Sequence, residues 1–162
     1  MNILTWEKNQ PTKGGVYPIS REGHTLTYIP KEGIILFGGI GIDRLNDIYK
    51  YDISKKKILT CPYLTIEKNK WYEYETSGRQ PSPRCYHTSF YDYPYLYIYA
   101  GQGDMGNSLN DCSVLDTRKM LWKKLFMIDQ PMPRHQHTMV DTKLSNFFCL
   151  MQKKKPKWFL VE

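Results

Sequence analysis

Short apolar runs separated by clusters of glycine, proline and charged residues fill most of the chain. Thr25-Leu26-Thr27-Tyr28-Ile29 is β-branched and aromatic, Pro30-Lys31-Glu32-Gly33 has turn chemistry, and Ile34–Phe37 is an apolar run that suits a buried strand. Gly38-Gly39 ends that run, where glycine permits positive φ and close backbone approach. Asp47–Asp52 reads as a third strand and Trp71–Tyr74 as a fourth and outermost one. Further on, Tyr91, Tyr93, Tyr95, Tyr97 and Tyr99 alternate with Asp92, Pro94, Leu96, Ile98 and Ala100. Pro94 cannot donate to a ladder, so Asp92-Tyr93-Pro94 is predicted as a turn. Tyr95–Ala100 then forms a strand with tyrosines on one face and aliphatic side chains on the other. Large flat side chains on both faces suit a sheet sandwiched between neighbours. No stretch carries the periodicity of an amphipathic helix, so the chain reads as all-β.

The runs recur in a fixed frame. Arg-x-x-His-Thr occurs three times, at Arg21 to Thr25, Arg84 to Thr88 and Arg134 to Thr138, each time opening a β-forming stretch. A tryptophan precedes each tag (Trp6, Trp71, Trp122), and so does a proline (Pro18, Pro83, Pro133). Small pairs follow at Gly38-Gly39 and Ala100-Gly101, then Leu45-Asn46-Asp47 and Leu109-Asn110-Asp111, then a second aspartate, Asp52 or Asp116. A catalytic histidine is needed once. A residue that returns with the same neighbours fills the same niche in successive copies of one unit. His24, His87 and His137 are therefore expected to act structurally, each histidine and arginine making one inter-strand contact within its own unit.

These landmarks resemble the kelch repeat over roughly residues 1 to 140: a small pair after an apolar strand, a polar loop, an aspartate before a tyrosine-rich strand, and a spaced tryptophan. Gly38, Gly39, Tyr49, Tyr51 and Trp71 fit that pattern. The second copy departs from it, with Ala100 before Gly101, and with Ser113 and Leu115 where the first has Tyr49 and Tyr51, so the pattern predicts less about the packing there. The resemblance implies kelch-type β-propeller blades of four antiparallel strands A to D. The kelch repeats would span 1–152, with an outer strand near Trp6, blades at about 24–74 and 87–126, and a partial blade at 137–152. Residues 153–162 would be a basic, divergent tail. The first unit is longer than the second, and the surplus lies between Asp52 and Trp71, a tolerated loop insertion that contains Lys55-Lys56-Lys57. About two and a half blades form an incomplete ring, since propellers have about 4 to 8. Further blades or self-association would then complete it.

Composition and chemistry narrow the function. The net charge is +7. The lysines lie scattered in turns, Lys55 to Lys57 and Lys153 to Lys157, while the aromatics are needed for the core, which argues against nucleic-acid reading. Cys61, Cys85, Cys112 and Cys149 contain no C-x-x-C pair, so neither zinc site nor disulfide framework is indicated, and no cofactor is expected. No signal peptide or membrane span is legible, and a cytoplasmic or nuclear location is expected. No catalytic constellation stands out, so the chain reads as non-enzymatic. The resemblance implies protein binding as a scaffold or substrate-presenting module. As alternatives, it implies a regulatory segment of a larger enzyme such as a phosphatase, or a truncated product. Antiparallel order puts loops B–C and D–A on one face, where Asp43, Arg44, Gln102, Asp104, Asn107, Arg79 and Gln80 are the candidate contacts with a protein partner. Arg44 is the expected anchor, because a guanidinium can grip a carboxylate with two hydrogen bonds.

Overall fold

The computed structural model describes residues 16–53, 55–58, 61–67, 70–127, 130–141, 147–151 and 158–161. The expected outer strand near Trp6 and the Lys153 to Lys157 run lie outside them. The first sheet is antiparallel, in the order β1 (Thr25–Ile29), β2 (Gly33–Ile40), β3 (Arg44–Asp52), then β6 (Lys70–Glu73). The insertion before Trp71 folds back on itself as a hairpin of β4 (Lys55–Ile58) and β5 (Cys61–Glu67). It lengthens a C–D connection without disturbing the blade.

The second sheet repeats the first. β8 (Thr88–Asp92), β9 (Tyr95–Gln102), β10 (Ser108–Asp116) and β11 (Leu121–Leu125) run in order, and the two-residue β7 (Ser77–Gly78) adds a parallel edge beside β11. Tyr93-Pro94 is the turn between β8 and β9, as proline requires. The third sheet holds β12 (His137–Asp141), β13 (Phe147–Met151) and β14 (Trp158–Val161). The last of these lies in the segment expected to be a divergent tail. Its apolar run instead pairs antiparallel with β13, so the blade pattern continues past residue 152.

The core lies between sheets. Ile29, Ile35, Phe37 and Ile48 of the first sheet meet Leu96, Ile98, Leu115 and Trp122 of the second, with the Phe37 and Trp122 rings 5.4 Å apart. Tyr99, Ala100 and Cys112 form a smaller cluster on the other side of the second sheet, against Tyr97 and Met139. The strand β9 thus turns its aliphatic face to one neighbour and its tyrosines to the other, as the alternation predicts. Ser113 and Leu115, where the second copy departs from the pattern, are well packed. Both are buried, and they lie on the face that receives Phe37 and Ile48, where smaller side chains than tyrosine fit against bulk from the first sheet.

The small pairs have unequal roles. Gly38 has φ 62° and Ala100 has φ 55°, left-handed values that alanine reaches at modest cost. Gly39 and Gly101, at φ 103° and 104°, have no room for a side chain: a Cβ would meet the Cβ of His24 at 2.9 Å and of His87 at 2.8 Å. Gly38 is also confined, since a Cβ there would meet the Arg84 carbonyl oxygen at 2.9 Å and the Leu45 carbonyl oxygen at 3.1 Å, whereas the second copy holds Ala100 at the corresponding place.

Candidate functional site

The tag residues build a repeated joint, not a reaction centre. Arg21 forks onto both carboxylate oxygens of Asp47 and also donates to the Gly38 carbonyl. Arg84 does the same with Asp111, at 2.8 and 2.9 Å, and with the Ala100 carbonyl at 2.9 Å. Each arginine ties the start of strand A to strand C of its own blade, as expected. Arg84 is fully buried. Burial would raise the Asp111 carboxyl, but the bonds and charge of Arg84 outweigh it and hold the group below the usual carboxylate range.

The histidines behave differently from the expectation. His87 Nε2 shares a 2.9 Å hydrogen bond with Thr25 Oγ1 of the first blade, and His137 Nε2 shares one of 2.9 Å with Thr88 Oγ1 of the second. The contact therefore runs between blades, because strand A begins at the crowded inner edge where the nearest hydroxyl belongs to the preceding sheet. The Nδ1 atoms of His24, His87 and His137 are buried without partners. Desolvation, reinforced by Arg84, lowers His87 to about 3, and desolvation with Arg134 lowers His137 to about 4. Burial and Arg21 also lower His24. All three imidazoles are neutral near pH 7. Backbone bonds repeat the joint: Gly39 N–H donates to Arg84 O and Gly101 N–H to Arg134 O, while Arg84 and Arg134 N–H return to Leu45 O and Leu109 O.

The seven candidate contacts divide into two groups. Asp43, Arg79, Asp104 and Asn107 are exposed at the surface of the B–C and D–A connections. Arg44 is half-buried, donates to Gln102 Oε1 at 3.2 Å, and leaves its Nε buried without a partner. Gln102 also donates to Gly106 O. Gln80 is structural rather than free: its side chain donates to Asn46 O at 2.6 Å, while Asn46 donates to Pro81 O. Gln130, Asn110 and Pro131 repeat that clamp one blade on. The Gln-Pro-x-Pro-Arg run at Gln80–Arg84 and Gln130–Arg134 was the signal for it in the sequence.

Two further residues stand at the tips of the B–C loops. Ile42 is 96% exposed and Met105 103%. Ser82, Gly103, Asp104, Met105, Asn107 and Leu109 line an open cleft of about 370 Å³ beside the second tip. Searching the loops for polar groups alone passes over Ile42 and Met105, although each interrupts a glycine- and aspartate-rich stretch. Cys85 lies under the face near Arg44; burial raises its thiol, and Arg44 offsets part of that. Burial pushes Cys112 up to about 12, so both thiols stay protonated and unreactive. Among the described residues, no group of three His, Cys, Asp or Glu side chains converges to hold a metal.

Serial four-stranded blades joined in this way match a family model, the KLHDC2/KLHL20/DRC7 Kelch-repeats domain, over residues 59–149. The chain belongs to the kelch-repeat family. It is 31% identical over 91 residues to Kelch domain-containing protein 2 of Bos taurus, covering 55% of this chain and 19% of that one. It is 29% identical over 145 residues to Adagio-like protein 3 of Oryza sativa subsp. japonica, covering 85% of this chain and 21% of that one. The chain thus spans about a fifth of the length of these kelch relatives. The solved structure of YjhT shares the fold, with a TM-score of 0.58 at 20% identity, over 82% of this chain and 34% of that one. The blade joints account for the repeated arginines, histidines and glycines.

Proposed function

We propose that this chain is a non-catalytic protein-binding module whose recognition face is formed by the B–C loops and the D–A approaches. The observation that carries the reading is the pair of apolar side chains, Ile42 and Met105, held out at the tips of successive loops. Neither contributes to the core, and exposed apolar groups ringed by charge mark binding surfaces. Arg44, Asp43, Asp104 and Asn107 surround them with adaptable polar groups, suited to a partner segment that offers an apolar anchor beside a carboxylate. The kelch family supports the coarse reading, and the consumption of the tag residues by blade joints removes the main candidates for chemistry. The cytoplasmic or nuclear setting belongs to this proposal.

A peptide array tiled with acidic and apolar sequences tests it. Ile42→Asp with Met105→Asp, and separately Arg44→Glu, should each reduce retained peptides at least tenfold while the variants keep wild-type circular dichroism. Retention that survives both changes would remove this face from the account. A second reading, a kelch segment serving a larger protein such as a phosphatase, follows from the small share of its relatives that the chain covers. A loop-independent effect on a covalently attached catalytic domain would favour it.

A further inference from the structure

The approaches to the three tag arginines are built alike, and one of them carries a much shorter side chain. Arg21, Arg84 and Arg134 each donate Nε to the carbonyl two residues back, that of Ile19 at 3.1 Å, Ser82 at 3.0 Å and Met132 at 2.9 Å. The three positions are therefore structural equivalents. Ile19 and Met132 hold long apolar side chains at the surface, whereas Ser82 has only a hydroxyl, which accepts from Arg84 Nη2 at 3.1 Å.

The B–C loop beside that position also differs between the blades. In the first, Gly41 N–H donates to Asp43 O; in the second, Gly103 N–H donates to Asn107 O, so the second loop is the longer. Ile19 lays its side chain on Gly41, where a Cβ would meet its Cδ1 at 3.3 Å. The corresponding space beside Gly103, between Ser82, Met105 and Leu109, is the open cleft of about 370 Å³. The added length forms the single turn Asp104–Gly106, with Met105 at φ 57°, a left-handed value that strains a methionine. Gln102 braces this turn by donating to Gly106 O and accepts from Arg44.

We propose that this cleft takes one aliphatic side chain of a partner peptide, of isoleucine or leucine size, with a lysine or arginine beside it facing Asp104. The proposal rests on reading this face as a protein-binding surface, and adds which side chains it selects. The protein supplies its own precedent, because Ile19 fills the equivalent place in the first blade. The cleft lies at the small end of the roughly 300–1,000 Å³ of ligand pockets, which suits a single peptide residue better than a cofactor. Met105 and Leu109 give it apolar walls, and methionine adapts its shape to what it meets. Among the described residues that line it, Asp104 alone is charged, so a cation next to the anchor complements it. Arg44, which reaches the same loop through Gln102, remains for a carboxylate elsewhere in the peptide.

An array of short peptides, each with one leucine flanked by lysine, glutamate or serine, tests the proposal on the 162-residue chain. Leucine flanked by lysine should be retained most. Ser82→Ile, which puts the first blade's residue into the cleft, should lower that retention about tenfold or more, while Ser82→Ala should leave it within about twofold. Asp104→Lys should turn the preference toward glutamate flanks. If Ser82→Ile loses the near-ultraviolet dichroism of the wild type, Ser82→Met and Asp104→Lys decide in its place. Retention indifferent to the filled cleft, a flank preference unmoved by Asp104→Lys, or no retained leucine peptide at all overturns the proposal. When retention ignores Ser82→Ile but falls with Arg44→Glu or Ile42→Asp, the binding face stands without the cleft. When it ignores all of these, the face falls too.

Discussion

The first and second blades share a plan and differ in their neighbours. Blade two is enclosed by blades on both sides, and Leu96, Ile98, Ala100 and Leu115 are wholly buried. Blade one has a described neighbour on one side; Thr25 and Thr27 on that side are bonded, while Leu26 and Tyr28 on the other are more than half exposed. A kelch blade therefore owes its burial to its position in the row as much as to its own composition. Ser113 and Leu115, poorer than Tyr49 and Tyr51 by the family pattern, sit in the better-packed sheet.

The largest expected effect breaks the glycine comparison. Gly101→Ala forces a Cβ to within 2.8 Å of His87 at φ 104° and should cost more than about 3 kcal/mol, enough to unfold the chain in chemical denaturation. Gly38→Ala, which gives blade one the residue blade two already carries, should cost less, about 1–3 kcal/mol, since its φ of 62° is reachable but its Cβ would press the Arg84 carbonyl oxygen at 2.9 Å. Equal losses would mean that the two positions of the pair are not distinguished by backbone geometry.

Next comes packing. Leu96→Ala should destabilise by about 2–5 kcal/mol, because it opens a cavity in the seam between blades. Leu26→Ala should change the unfolding midpoint of dilute protein by less than about 1 kcal/mol. Denaturant titrations of both variants measure the difference.

The pH dependence is smaller near neutrality and has a definite sign. His87 and His137 bind protons in the unfolded chain near 6.5 and in the folded one only near 3 and 4. The unfolded state thus binds more protons, so stability is complete above about pH 6.5 and falls as the pH drops toward 4. Asp111, also lowered by folding, adds to the loss at still lower pH. Melting temperatures at pH 7.5 and 5 should show the decline. In a proton-detected titration, the half-buried His24 should titrate at higher pH than the enclosed His137 and His87, again separating the edge from the interior.

Much of this architecture is legible in the sequence because it rests on short-range rules. Pro94 marks the β8–β9 turn, Gly38-Gly39 and Ala100-Gly101 mark the exits from inner strands, and the tyrosine alternation gives the two faces of β9. The arginine and the aspartate that pair stand 26 residues apart in the first unit and 27 in the second, so the repeat frame carries them together. What pattern reading misses depends on which blade a side chain meets. The partner of His87 lies 62 residues away in a different unit, and periodicity cannot tell a contact within a repeat from one across its boundary. Gln80 looks like a free loop residue until the fold brings Asn46 beside it. The third strand of the last sheet is hidden because its glycine pair is missing, leaving only the apolar Trp158–Val161 run as a signal.

The Thr88–His137 bond tests most directly whether the tag histidines join successive blades. A double-mutant cycle of Thr88→Val and His137→Phe, read by urea unfolding, should give a coupling of about 1 kcal/mol, since the bond is buried and joins two sheets. Effects that add to within about 0.3 kcal/mol would contradict the account.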